Sequence, residues 1–278
     1  MLVYYNGSYL PKSDVAISPD DRGFLFADGI YEVIRVYHGK LFRCAEHLER
    51  MAHGLKELKI SGCYPLTLEA IANRVLNENG LKHSDAKIYI QITRGAAPRS
   101  HNFPPATTPP TIYLEAIPFT SPTDLQEKGV AAIIVPDQRW GRCDIKTVCL
   151  LANTLASHQA AEAGAYEAIF RRDGVLQEGT HSSILFVKDN YLIAPPLTVF
   201  TLPSVTRNVV LSLAHEESIR TNIQPCLESE LWGFQELLMV GTGSEIIPIT
   251  TVNGRKVGNG IPGPITRRLQ SAFRRLVS

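Results

Sequence analysis

Apolar and polar residues repeat with two different periods along the chain, and each change of period marks a new element. Tyr31–Tyr37, YEVIRVY, is rich in β-branched and aromatic residues and reads as a strand. His38-Gly39 can make a tight turn, and Lys40–Arg43 can return as the partner strand. A helix is expected over Ala45–Leu58, where Leu48, Met51, Leu55 and Leu58 recur at helical spacing. A second is expected over Leu66–Asn79, stopped by Gly80. Lys87–Thr93 and Thr111–Ile117 read as strands. Between them, Pro98–Pro110 holds five prolines in thirteen residues and excludes regular structure, so it is a rigid connection or a functional loop.

Ile117–Thr123 reads as a linker, and the pattern changes after it. Val130–Val135 is expected to be a buried strand, and Leu150–Ala163 a helix of small and apolar residues ended by Gly164. Tyr166–Arg171 and Ser183–Val187 are expected as strands around a turn at Asp173-Gly174. A helix from Ser204 to about Glu217 has Ser204 as its N-cap. Glu236–Val240 is another buried strand, and a last helix opens at Pro264, which suits a first turn. This order predicts an α/β protein of two domains, residues 1–119 and 120–278.

Composition narrows the function by exclusion. The chain is 44% hydrophobic and 20% charged with a formal net charge of +1, the profile of an ordinary globular protein. No global field favours nucleic acid or an anionic membrane, and no apolar run reaches the ~20 residues of a membrane helix. The first residues lack the basic and apolar regions of a secretory signal. Five cysteines without a CxxC pair suggest free thiols and a cytoplasmic location.

Generic motifs fail. Gly258–Gly263 matches GxGxxG in letters only, with a proline inside it and no room for a βαβ unit. His47 and His53 lie six residues apart, on different faces of a helix, so no metal site is expected. The arginine pairs Arg267-Arg268 and Arg274-Arg275 read as a solvated face.

What remains is an ordered set of short segments: Glu46-His47-Leu48-Glu49-Arg50, Arg94–His101, Asp144-Ile145-Lys146-Thr147, Leu176–Ile184, Leu202–Arg207 and Val240–Glu245. Each alone is weak, since a lone lysine is usually solvated and a Glu-Gly pair is usually a turn. Together, in this order, they resemble the fold-type IV pyridoxal-phosphate family, which holds the branched-chain aminotransferases, the D-amino-acid aminotransferases and aminodeoxychorismate lyase. The resemblance runs from about Tyr5 to the C-terminal helix. It implies a small N-terminal α/β domain and a larger C-terminal α/β domain of pseudo-barrel form. It also implies a cytoplasmic homodimer that uses pyridoxal 5′-phosphate, with pyridoxamine 5′-phosphate as its other form.

By this resemblance Lys146 is the lysine that holds the cofactor and moves the substrate α-proton. Its amine must be available unprotonated, which burial and neighbouring positive charge can arrange. Glu178 takes the place of the carboxylate that keeps the cofactor ring nitrogen protonated. Arg50, the backbone of Val205 and Thr206, and the Thr242 hydroxyl take the places that receive the phosphate.

Arg99-Ser100-His101 discriminates within the family. The D-amino-acid aminotransferases carry an Arg-x-His pair here for the substrate α-carboxylate, which acts together with a tyrosine from the other subunit, matched by Tyr31. The implied reaction transfers an amino group from a D-amino acid, such as D-alanine or D-glutamate, to pyruvate or 2-oxoglutarate. An L-branched-chain aminotransferase would not need the Arg99/His101 pair, and nothing speaks for the large aromatic substrate of aminodeoxychorismate lyase. One position departs from the pattern: Ser183 stands where the family usually has asparagine.

Overall fold

The hairpin expected at His38-Gly39 lies within a six-stranded antiparallel sheet in the computed structural model, which describes residues 1–278. Its strands run in the order Ser8–Pro11, Leu2–Tyr5, Thr111–Pro118, Ala86–Thr93, Gly29–Tyr37 and Lys40–Leu41. His38 and Gly39 both have positive φ, 50° and 80°, the backbone of a two-residue turn that matches strand twist. Side chains alternate across a strand. Ile30, Ile34 and Val36 therefore share one face with Ile88, Ile90, Ile92 and Leu114, and all are buried. The helices Cys44–Glu57 and Leu68–Glu78 complete this core with Leu48, Met51, Leu55, Ala72, Val75 and Leu76. Pro98–Pro110 has no regular element, as its prolines require.

By its internal contacts the chain forms two compact units, one of Met1–Thr120 with Ile145–Cys149, the other of Ser121–Asp144 with Leu150–Ser278. The segment around Lys146 thus belongs with the first unit, although the residues on both sides of it belong to the second. Ile145 explains this, because it is 5% exposed and packs into the first unit's core.

The second unit is built on a ten-stranded mixed sheet. Along it lie Arg220–Ile223, Tyr191–Ala194, Ser183–Lys188, Glu236–Gly241, Glu245–Val252, Val130–Pro136, Glu167–Arg172, Val175–Gly179 and Cys226–Leu227, with Arg255–Lys256 beside Glu245–Val252. The order forces curvature. Ser183–Lys188 and Val175–Gly179 are five strand spacings apart along the sheet, ~24 Å if it were flat. Only residues 180–182 join them, and these reach at most ~14 Å. The sheet therefore curls, and the Gly179 amide donates to the Ser182 carbonyl at 2.8 Å. Helices Leu151–Glu162, Val205–Glu216 and Pro264–Val277 fall where their periods and caps place them.

The structure departs from the sequence expectations in several elements, the short helix Arg22–Phe26 among them. Within the expected linker, Thr111–Pro118 runs one residue further as strand, and Thr123–Lys128 is a short helix. Asp173-Gly174 turns the chain from Glu167–Arg172 into Val175–Gly179, a strand with no separate place in the expected pattern. Glu245–Val252 is an interior strand despite Pro248.

Candidate active site

Lys146 is set by strand pairing. The edge of Gly29–Tyr37 that carries residues 29–31 is closed by the Lys146 segment: the Tyr31 amide donates to the Lys146 carbonyl at 3.0 Å, and the Val148 amide to that of Gly29 at 3.1 Å. Ile30 pairs with Thr147 in an antiparallel bridge, so Tyr31 stands directly opposite Lys146. Residues opposite one another share a face. The Lys146 amine accordingly sits 4.2 Å from the centre of the Tyr31 ring.

Arg50 is held by the next residue of that strand, Glu32. Glu32, fully buried, projects among Ile30 and Ile34 toward the helix Cys44–Glu57. Its Oε1 accepts from Arg50 Nε at 2.6 Å and its Oε2 from Arg50 Nη2 at 2.9 Å, with His47 Nδ1 2.8 Å from the same Oε2. Burial alone would push the Glu32 carboxyl up, but Arg50 and His47 beside it outweigh that and hold it below the usual carboxylate range. A two-point grip of this kind fixes the plane of a guanidinium. His47 is thus a partner of Glu32.

Arg99 and His101 are exposed side chains that meet on one ring. The Arg99 guanidinium lies 5.3 Å from the centre of Phe26, and the His101 ring 5.5 Å from it.

In the second unit, Glu178 is 6% exposed. It accepts from the Leu202 amide at 3.0 Å and pairs with Arg139 through Oε1 and Nη1. Arg139 in turn grips Asp137 with Nε at 2.9 Å and Nη2 at 3.0 Å. Burial works against the charge of Arg139, but the Asp137 hydrogen bonds and the Glu178 charge hold it more firmly protonated than an ordinary arginine. Glu178 is therefore a buried carboxylate held between a guanidinium and a backbone amide. Gly179 follows it because nothing larger fits: a Cβ there would lie 2.3 Å from Ser182 Oγ and 2.7 Å from Glu167 Oε2. Glu167, itself fully buried, gathers the Thr180 amide, the Thr180 hydroxyl and the Ser182 hydroxyl at 2.9, 2.6 and 2.7 Å.

Three residues beyond Leu202 the helix Val205–Glu216 begins. Ser204 Oγ accepts from the Arg207 amide at 3.1 Å, which leaves the amides of Val205 and Thr206 at the helix's positive end without an intrahelical acceptor. Thr242 lies in the turn between Glu236–Gly241 and Glu245–Val252. Ser183 opens the strand opposite Val240 and is buried.

The profile of the amino-transferase class IV family matches residues 29–252. The chain belongs to the class IV aminotransferases. It is 37% identical over 274 residues to the D-alanine aminotransferase of Bacillus licheniformis, which covers 98% of this chain and 96% of that one. It is 38% identical over 276 residues to that of Staphylococcus epidermidis, with 99% and 97% covered. Among solved structures, the branched-chain amino acid aminotransferase of Escherichia coli superimposes with a TM-score of 0.90 at 27% identity, over 100% of this chain and 94% of that one.

Class IV aminotransferases use pyridoxal 5′-phosphate, and the residues of this one fit that group. A phosphate needs N–H donors at a positive end, which the amides of Val205 and Thr206 can supply within the second unit. A protonated ring nitrogen needs a carboxylate beside it, and Glu178 is a buried carboxylate paired with a guanidinium. Sequence reasoning missed Arg139, Asp137, Glu32 and Phe26. Arg139 and Asp137 lie outside the matched segments, and Glu32 and Phe26 meet Arg50 and Arg99 across stretches that no local period records.

Proposed function

We propose that this class IV aminotransferase is a cytoplasmic homodimer that moves the amino group of a D-amino acid, such as D-alanine or D-glutamate, to pyruvate or 2-oxoglutarate. The observation that carries this reading is the placement of Arg99 and His101 on one ring, where a guanidinium fork and an imidazole are offered together to a carboxylate. Near full-length likeness to two D-alanine aminotransferases supports the same substrate class.

Bound pyridoxal 5′-phosphate supplies an electron sink for the bond broken at the substrate α-carbon. Lys146 holds the cofactor, then uses its Nζ to take the α-proton and to give one back. The strand pairing with Gly29 and Tyr31 fixes the main chain of Lys146, so its amine reaches the α-carbon from one side only. Arg99, His101 and Tyr31 receive the α-carboxylate, and the side to which they draw it sets the hand of the accepted amino acid. Glu178 holds the ring nitrogen protonated. Arg50, the amides of Val205 and Thr206 and the hydroxyl of Thr242 receive the phosphate.

The test is a single half-reaction, in which the yellow holoenzyme is mixed with D-alanine or with L-leucine while its visible band is followed. Fast bleaching with D-alanine alone is expected. Fast bleaching with L-leucine alone would move the protein to the branched-chain aminotransferases. The Lys146→Ala variant is expected to lack the lysine-linked band and turnover; substantial turnover would mean that another amine does this work.

A further inference from the structure

Arg99 and His101 are exposed on a loop without regular structure, yet carboxylate recognition needs side chains held within a fraction of an ångström. A buried arginine beneath the loop answers that need. Arg22 is 4% exposed, and its Nη1 donates to the carbonyls of Ser100 at 2.7 Å and Asn102 at 3.4 Å. These two carbonyls flank His101, so one donor group bends the backbone around it. The Arg22 backbone adds a bond from its amide to the Gly95 carbonyl at 2.9 Å.

Arg22 is itself held. Its Nε donates to Asp28 Oδ2 at 2.9 Å, and Arg94 grips the same carboxylate with Nε at 2.7 Å and Nη2 at 2.8 Å. Arg94 also donates to the carbonyls of Leu58 and Lys59 at 2.7 and 2.9 Å, which ties the cluster to the end of the helix Cys44–Glu57. Above it, the Phe26 ring has the Arg22 guanidinium 4.7 Å from its centre, together with Arg99 and His101. An aromatic face attracts guanidinium groups and restricts where they rest.

We propose that Arg22 and Phe26 are positioning residues for the carboxylate-binding pair, Arg22 by setting the backbone of residues 100–102 and Phe26 by seating the side chains of Arg99 and His101. This rests on the reading that Arg99 and His101 receive the substrate carboxylate. Lysine cannot replace Arg22, because one ammonium does not reach a carboxylate and two carbonyls in a fixed fork.

The experiment compares Arg22→Ala, Arg22→Lys, Phe26→Leu, Phe26→Tyr and Arg99→Ala holoenzymes, with KM and kcat for D-alanine, the cofactor absorbance, and the rate at which trypsin cuts after Arg99. Arg22→Ala, Arg22→Lys and Phe26→Leu are expected to raise KM by roughly tenfold or more, as a small misplacement of a binding group does. Their kcat and cofactor band should change by less than about twofold, as expected for lost binding rather than lost chemistry. Arg22→Ala should quicken the cut after Arg99, and Phe26→Tyr, which keeps the ring, should restore KM. A raised KM in Arg99→Ala beside unchanged KM values in Arg22→Ala and Phe26→Leu would overturn the proposal. Should Arg22→Ala not fold, Phe26→Leu against Phe26→Tyr decides it in the same way. An unchanged KM in Arg99→Ala would instead defeat the carboxylate reading, and this inference with it.

Discussion

Glu32 and Glu167 are both fully buried carboxylates, but they are compensated differently. Glu32 faces a guanidinium and an imidazole at close range, whereas Glu167 takes its hydrogen bonds from neutral amides and hydroxyls, with the exposed His181 imidazole 3.5 Å away. Removing one member of a buried ion pair leaves the other charge uncompensated, at a cost of about 3–5 kcal/mol. Glu32→Gln is therefore expected to destabilise the protein by about that much in urea unfolding and to loosen the cofactor, since Arg50 loses its grip. A loss under about 1 kcal/mol would mean that other partners hold Arg50. At this scale Lys146, Glu178 and Arg50 could be singled out in the sequence only through the resemblance of their segments, taken together and in order. The sequence was illegible where the chemistry is a pairing over distance. Arg139 meets Glu178 across 39 residues and Arg22 meets Ser100 across 78, and no local period records such contacts.

Among the elements, the helix Val205–Glu216 depends on its cap. Ser204→Ala removes the acceptor for the Arg207 amide and is expected to cost about 1 kcal/mol. Pyridoxal-phosphate affinity should fall in the same variant, because the amides of Val205 and Thr206 lose their fixed geometry. Titration of the apoprotein checks this, and wild-type affinity would separate the cap from phosphate binding. The helices and strands with several turns or clear alternation were readable, and their bounds moved by one or two residues. Thr123–Lys128 was not, because six residues are too few to display a period. Glu245–Val252 was hidden by Pro248, which argues against an interior strand. There the ladder to Val130–Pro136 begins only at Ile249, so on that side Pro248 has no bond to lose.

At the scale of the whole molecule, both units keep carboxylates ionised against burial: Asp28 and Glu32 in the first, Asp137 in the second. Burial works against ionisation in all three, and adjacent guanidinium groups outweigh it, so each lies below its ordinary value of 3.8 for the aspartates and 4.5 for the glutamate. The unfolded chain then takes up protons first as the pH falls, and stability falls with it. Unfolding free energy is expected to stay level, as far as these groups set it, down to about pH 5 and to drop below about 4.5. Asp28→Asn should narrow its gap from the wild type in the same acid range, and a gap that stays constant down to pH 3 would show that Asp28 is not part of the effect.

The excursion of Ile145–Cys149 bears on how such a protein can be inherited. The first unit draws a core side chain and the edge partner of Gly29 and Tyr31 from a stretch of gene embedded in the second. A recombination event that moved residues 1–120 to a new setting would leave behind Ile145 and with it Lys146. The two units can diverge in sequence, but they cannot be shuffled as modules, and the gene has to travel whole.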